Sequence, residues 1–204
     1  MELGNIVFMS IPKTGSSSIQ ASLGRYSTNK ELPDNMKIRP YDHFKWDDIS
    51  NNFSGEKVYF SIIREPYDWY VSYYFHQYFF EHFVKEQKGI AVDYSSNNII
   101  NDFRSWVINN KGYYTNLIKK ILPPECEIIK FENMEELNVF FKKQQTEYVF
   151  DTSIKKNTLI DFLKNMYYNV PEEINKEDFY NDEIRNIIKE NDTEIFFRYD
   201  YKIE

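Results

Sequence analysis

Cysteine is almost absent from this chain. Cys126 is the only one among 204 residues, so no intrachain disulfide can form. It sits in Glu-Cys-Glu-Ile-Ile-Lys-Phe, a strand-like stretch in which a lone thiol behaves as a small hydrophobe. Long apolar runs are missing too. No stretch reaches the ~20 residues that a membrane helix needs, and the first residues lack the basic-then-apolar pattern of a secretory leader. Together these absences predict a chain with no membrane span in a reducing, cytoplasmic setting. A basic excess is also lacking: 25 Lys and Arg face 32 Asp and Glu, for a net charge of −7. That balance argues against a general nucleic-acid surface. Histidines number three, His43, His76 and His82, and they form no cluster with cysteine or carboxylates at metal-ligand spacing, so no metal site is expected. There is no internal repeat, no low-complexity tract and no long linker.

What is present points to a folded α/β domain. Hydrophobic residues make up 42% and aromatics 18%, too many for a disordered chain. The charge is uneven: residues 1–90 hold 11 acids and 10 bases, whereas residues 151–204 hold 13 acids and 8 bases. Three short apolar runs, at 5–10, 57–63 and 127–131, read as buried parallel strands. Helical patterns follow at 16–26, 46–51, 66–84, 103–109, 114–121, 134–143, 158–166 and 182–198. Asn133 and Glu136 have the spacing of a capping box ahead of the helix at 134. Strands alternating with helices predict a parallel sheet flanked by helices, with ligands taken at the carboxyl ends of the strands.

The first chemically informative segment is residues 6–19, Ile-Val-Phe-Met-Ser-Ile-Pro-Lys-Thr-Gly-Ser-Ser-Ser-Ile. A buried strand ends, a Pro-Lys-Thr-Gly turn follows, and a helix opens with three serines. Backbone N–H groups at such a helix start face an anion, and the helix dipole favours negative charge there. Lys13 adds a full positive charge, and Thr14, Gly15, Ser16, Ser17 and Ser18 complete a loop suited to a phosphate or sulfate. The order is not that of the ATP/GTP loop, where lysine follows the second glycine. Here Lys13 precedes Gly15.

The second segment is residues 58–75, Val-Tyr-Phe-Ser-Ile-Ile-Arg-Glu-Pro-Tyr-Asp-Trp-Tyr-Val-Ser-Tyr-Tyr-Phe. The strand ends at Arg64, and Pro66 suits the first turn of the next helix, where its missing N–H costs nothing. An arginine at a strand end and Ser72 in the following helix can grip a second phosphate, because guanidinium matches phosphate oxygens bidentately. A structural pairing of Arg64 with Glu65 or Asp68 is the alternative.

Pro-Lys-Thr-Gly-Ser-Ser-Ser resembles the 5′-phosphosulfate loop of sulfotransferases. Arg-Glu-Pro-Tyr-Asp, with Ser72 downstream, resembles the 3′-phosphate motif of the same superfamily, and the two motifs come in the family's order. The nearest likeness is to carbohydrate sulfotransferases that include heparan sulfate 2-O-sulfotransferase and bacterial relatives. Ile-Lys-Phe-Glu-Asn-Met-Glu-Glu-Leu (129–137) and the ending Phe-Phe-Arg-Tyr-Asp-Tyr (196–201) resemble further segments of that group. The resemblance implies one P-loop-like sulfotransferase domain over residues 1–204. It implies 3′-phosphoadenosine 5′-phosphosulfate (PAPS) as co-substrate, 3′-phosphoadenosine 5′-phosphate as product, no metal, and a hydroxyl acceptor on a glycan. Lys13 and its loop would hold the 5′ side, and Arg64 with Ser72 the 3′-phosphate. His43, in Tyr-Asp-His-Phe-Lys-Trp between the two motifs, matches the position of the base in the related carbohydrate enzymes; histidine suits that task at neutral pH. The resemblance also brings Lys156, with Lys155 and Asn157, near the nucleotide, although this stretch departs from the family's pattern. His76 and His82 lie in an aromatic-rich helical stretch and read as packing or surface residues. Two alternatives stay open: a nucleotide-dependent phosphoryl-transfer enzyme, which Mg²⁺ dependence would reveal, and a non-catalytic nucleotide-binding protein of the same fold.

Overall fold

The three apolar runs become strands because their side chains have no polar alternation to expose. The computed structural model describes residues 2–16, 19, 22, 45–150 and 174–203. Its sheet has four strands in the order β1 (Glu2–Leu3), β2 (Ile6–Met9), β3 (Val58–Ile63) and β4 (Glu127–Lys130). Strands β2, β3 and β4 run parallel, with Met9 beside Ser61 and Ile63 beside Lys130. All four residues of β2 are buried. The edge departs from the expected pattern: β1 is antiparallel to β2, and the run expected at 5–10 begins one residue later. Gly4, at φ +69°, makes the two-residue turn with Asn5 that a tight hairpin needs.

The helices are α1 (Trp46–Ile49), α2 (Pro66–Gln87), α3 (Ser96–Asn109), α4 (Tyr113–Ile121), α5 (Glu136–Lys143), α6 (Asp182–Asn191) and α7 (Thr193–Arg198). Helix α3 starts seven residues before the expected start at 103. Its Ser-Asn-Asn opening looks like a loop, yet Ile99, Phe103 and Val107 recur every four residues and are buried. Asn133 does not cap a helix. A 3₁₀ turn covers Phe131–Asn133, and Asn133 Nδ2 donates to the side chain of Glu136, the first residue of α5, at 3.2 Å, while Glu135 takes the N-cap position. The helix expected at 182–198 is broken into α6 and α7 at Asp192, for a reason given below. The helix expected at 158–166 and most of that at 16–26 lie outside the described residues. None of the described helices is long and apolar enough to cross a membrane.

The chain divides into two compact units, Met1–Glu65 with Asn116–Ile154, and Pro66–Thr115 with Lys155–Glu204. The first holds the sheet. Phe60 lies 5.0 Å from Phe8 and 4.9 Å from Phe140, centroid to centroid, and α5 buries Leu137, Phe140 and Phe141 on one face. Each such ring contributes about 1.5–3 kcal/mol when removed from water. At the edge, Lys57 Nζ meets Glu2 Oε1 at 2.6 Å and the Gly4 carbonyl at 2.9 Å, tying down the hairpin.

The second unit is helical and aromatic. Trp69 stacks on Tyr114 at 4.1 Å with planes 7° apart, and Phe103 and Phe75 both meet the edge of Phe179. Asp192 is fully buried here. Its Oδ2 accepts from Tyr70 Oη at 2.6 Å, and its Oδ1 from the Thr115 N–H at 2.8 Å. Turning inward to these donors takes Asp192 out of helical geometry, at φ −111° and ψ 20°, which is why one helix becomes two.

Candidate functional site

Three parallel strands end at one edge of the first unit's sheet, and each is followed by residues of interest. After β2 comes the Lys13 loop. After β3 come Arg64 and Glu65. After β4 come Phe131 and Glu132. Register alone brings these three chain segments together: the Ser61 hydroxyl donates to the Met9 carbonyl at 2.6 Å, just before the first two strands end.

The loop is held from within. The Thr14 hydroxyl is buried and donates to the Ile11 carbonyl at 2.9 Å, so this side chain shapes the turn. Ile19 N–H donates to the Gly15 carbonyl at 3.2 Å, which starts the helical turn. Lys13 adopts φ +64°, the left-handed region, which costs a residue with a β-carbon about 1–2 kcal/mol. Gly15 also has a left-handed φ, +79°. A β-carbon there would stand 2.6 Å from Phe131 Cε2 and 3.0 Å from Cδ2. Glycine is therefore required twice, for conformation and for space.

The electrostatics match this local strain. Burial first, and the positive charge of Arg64 second, lower the Lys13 ammonium from its ordinary 10.5 to about 8. The Arg64 guanidinium lies over the Phe131 ring, 5.1 Å from its centroid. Next to it, the Glu65 N–H donates to Glu132 Oε1 at 3.0 Å, so the end of β4 also fixes the backbone that leaves β3. Two cations converge in a partly buried place. The Arg64 charge disfavours the Lys13 ammonium there.

Of the residues singled out in the sequence, Lys13, Thr14, Gly15, Ser16 and Arg64 lie in the first unit, at or after the ends of β2 and β3. Ser72 belongs to the second unit, two turns into α2, and is 3% exposed. Ser17, Ser18, His43, Lys155, Lys156 and Asn157 lie outside the described residues. His82 is buried, with its ring 3.7 Å from that of Tyr78 and Nδ1–H donating to the Tyr78 carbonyl at 2.7 Å; it is a packing residue. Nothing in the sequence marks Phe131 or Glu132 individually. Their only signal is that they lie within the stretch 129–137.

Known proteins bear on this geometry at one point. The sequence model of the sulfotransferase family matches residues 3–134, about two thirds of the chain. The chain belongs to the sulfotransferase family. The matched span contains both anion motifs, the interval with His43, and Phe131 and Glu132. No curated protein and no solved structure matched the chain significantly.

Proposed function

We propose that this sulfotransferase moves a sulfuryl group from PAPS to an acceptor hydroxyl on a carbohydrate. The observation that carries the reading is the pairing of Lys13 and Arg64 at the ends of adjacent parallel strands, with the Lys13 ammonium held down to about 8. A donor with a 5′-phosphosulfate and a 3′-phosphate supplies one anion for each cation. Lys13 and the loop around Gly15 take the 5′ side. Arg64 takes the 3′-phosphate.

In the reaction the acceptor oxygen attacks sulfur in line. The new O–S bond forms as the bond from sulfur to the bridging oxygen breaks, and the electron pair goes to the departing 5′-phosphate. Lys13 meets that growing charge, a contribution of the oxyanion-stabilising kind. His43 takes the hydroxyl proton on its neutral imidazole. The products are a sulfate ester and 3′-phosphoadenosine 5′-phosphate. The carbohydrate acceptor and the role of His43 are supported by sequence resemblance.

The test is a transfer assay with labelled donor against sugar, lipid, peptide and small-molecule hydroxyls, run with and without EDTA. Transfer to a sugar, unaffected by chelation, is the expected result. His43→Ala should cut turnover by about 10²–10⁴ while leaving nucleotide affinity in place. Transfer that stops in EDTA and returns with Mg²⁺ would put phosphoryl-transfer chemistry first instead. Wild-type turnover in His43→Ala would remove His43 from the mechanism.

A further inference from the structure

We propose that Phe131 is a positioning residue: its ring sets the spacing between the Lys13–Gly15 loop and Arg64, so that the two anionic groups of one donor are read together. This rests on the donor-binding reading above. Three observations carry it. The ring edge fills the space where a β-carbon at Gly15 would sit, 2.6 Å from Cε2. The ring face lies under the Arg64 guanidinium at 5.1 Å. The same side chain packs on the first unit's core, against a cluster that includes Phe8, Phe60 and Ile129. One rigid group thus touches the loop, the arginine and the core at once.

An aromatic ring suits this place for a physical reason. A flat edge allows the loop backbone to come close, while the π face attracts the guanidinium and limits its tilt. An aliphatic side chain of similar size packs on the core but offers no such face. The Glu132 carboxylate, one residue on, holds the Glu65 N–H at 3.0 Å and fixes the backbone beside Arg64. Phe131 therefore orients the guanidinium, and Glu132 the chain that carries it. Phe131 has no charge and makes no hydrogen bond to a phosphate through its side chain, so its effect must pass through Arg64 and the loop.

The experiment compares Phe131→Leu with Phe131→Tyr, which keeps the ring. Affinities for 3′-phosphoadenosine 5′-phosphate and for AMP are measured by calorimetry in each. A purely structural role would weaken both ligands alike. The positioning role predicts that Phe131→Leu reduces the preference for the 3′-phosphate by about tenfold, while Phe131→Tyr keeps it within about threefold of wild type. An unchanged preference in Phe131→Leu would overturn the proposal. A second measurement needs no ligand. Gly15→Ala should lower the unfolding temperature by several degrees more in the wild-type background than in Phe131→Leu, because the ring obstructs the new β-carbon. Equal losses in the two backgrounds would overturn the seating of the ring against the loop. If wild type shows no preference for the 3′-phosphate, the donor reading falls and takes the ligand half of the proposal with it. Unequal losses would then still support the ring as the spacer.

Discussion

Lys13 in the first unit is half-buried and Asp192 in the second fully buried, and burial pushes each towards its neutral form: the lysine down, the aspartate up. Their neighbours act in opposite senses. Around Asp192 the Tyr70 hydroxyl and the Thr115 N–H support the negative charge and oppose the effect of burial. Around Lys13 the nearby Arg64 adds to the effect of burial. The first arrangement holds its charge with donors from α2 and α4. On the proposed reading the second gains when an anion arrives, so that the sign of what surrounds a buried charge, and not burial alone, marks the site.

The sharpest way to break this comparison is to remove each charge and see which property fails. Lys13→Met should slow transfer by about 10²–10³, the usual loss when a transition-state donor is removed. Its unfolding temperature should stay level or rise, because a poorly solvated cation has gone. A large loss of stability with little loss of turnover would make Lys13 a structural residue. Asp192→Ala should do the reverse. Leaving the Tyr70 hydroxyl and the Thr115 N–H buried and unsatisfied costs about 2–4 kcal/mol, a fall in unfolding temperature of roughly 5–15 °C. Nucleotide affinity, measured well below the new midpoint, should not change. Altered discrimination between nucleotides in Asp192→Ala would show that the second unit's network acts on the site.

The parts of this contrast that can be read from sequence are the local ones. Strands β2, β3 and β4 are legible because uninterrupted apolar runs have few other fates. The Lys13 loop is legible because proline, lysine, glycine and serines stand in a fixed order over seven residues. The break at Asp192 is not, because it depends on Tyr70, 122 positions away, offering its hydroxyl. The antiparallel β1 is only two residues long, too short for any periodicity. Phe131 looks like one more core aromatic. Its place under Arg64 and against Gly15 emerges only when parallel register brings three strand ends together.

A smaller effect separates the two cations of the first unit. Charge-assisted hydrogen bonds contribute about 1.5–3 kcal/mol, so Arg64→Ala should weaken 3′-phosphoadenosine 5′-phosphate by about 10–100-fold and AMP far less. Equal losses for the two nucleotides would mean that Arg64 does not read the 3′ side. The smallest effect is that of pH. Lys13 titrates near 8 in the folded protein and near 10.5 when unfolded. The unfolded chain thus holds this proton more tightly, and the Lys13 contribution to stability rises with pH between those values. A bound anion favours the charged ammonium, so binding near and above pH 8 takes up a proton. Affinity should then fall with rising pH, by at most about tenfold per pH unit. Lys13→Met should flatten both trends, and a flat wild-type affinity between pH 8 and 10 would contradict the depressed ammonium.

The central claim is that two cations at the ends of adjacent parallel strands form a site for a ligand with two anionic groups. Calorimetric titration of the wild-type protein at pH 7 with 3′-phosphoadenosine 5′-phosphate and with AMP tests it most directly. Tighter binding of the bisphosphorylated nucleotide by about tenfold or more, the contribution of one charge-assisted contact, is the expected result. Equal affinity for the two nucleotides would contradict it.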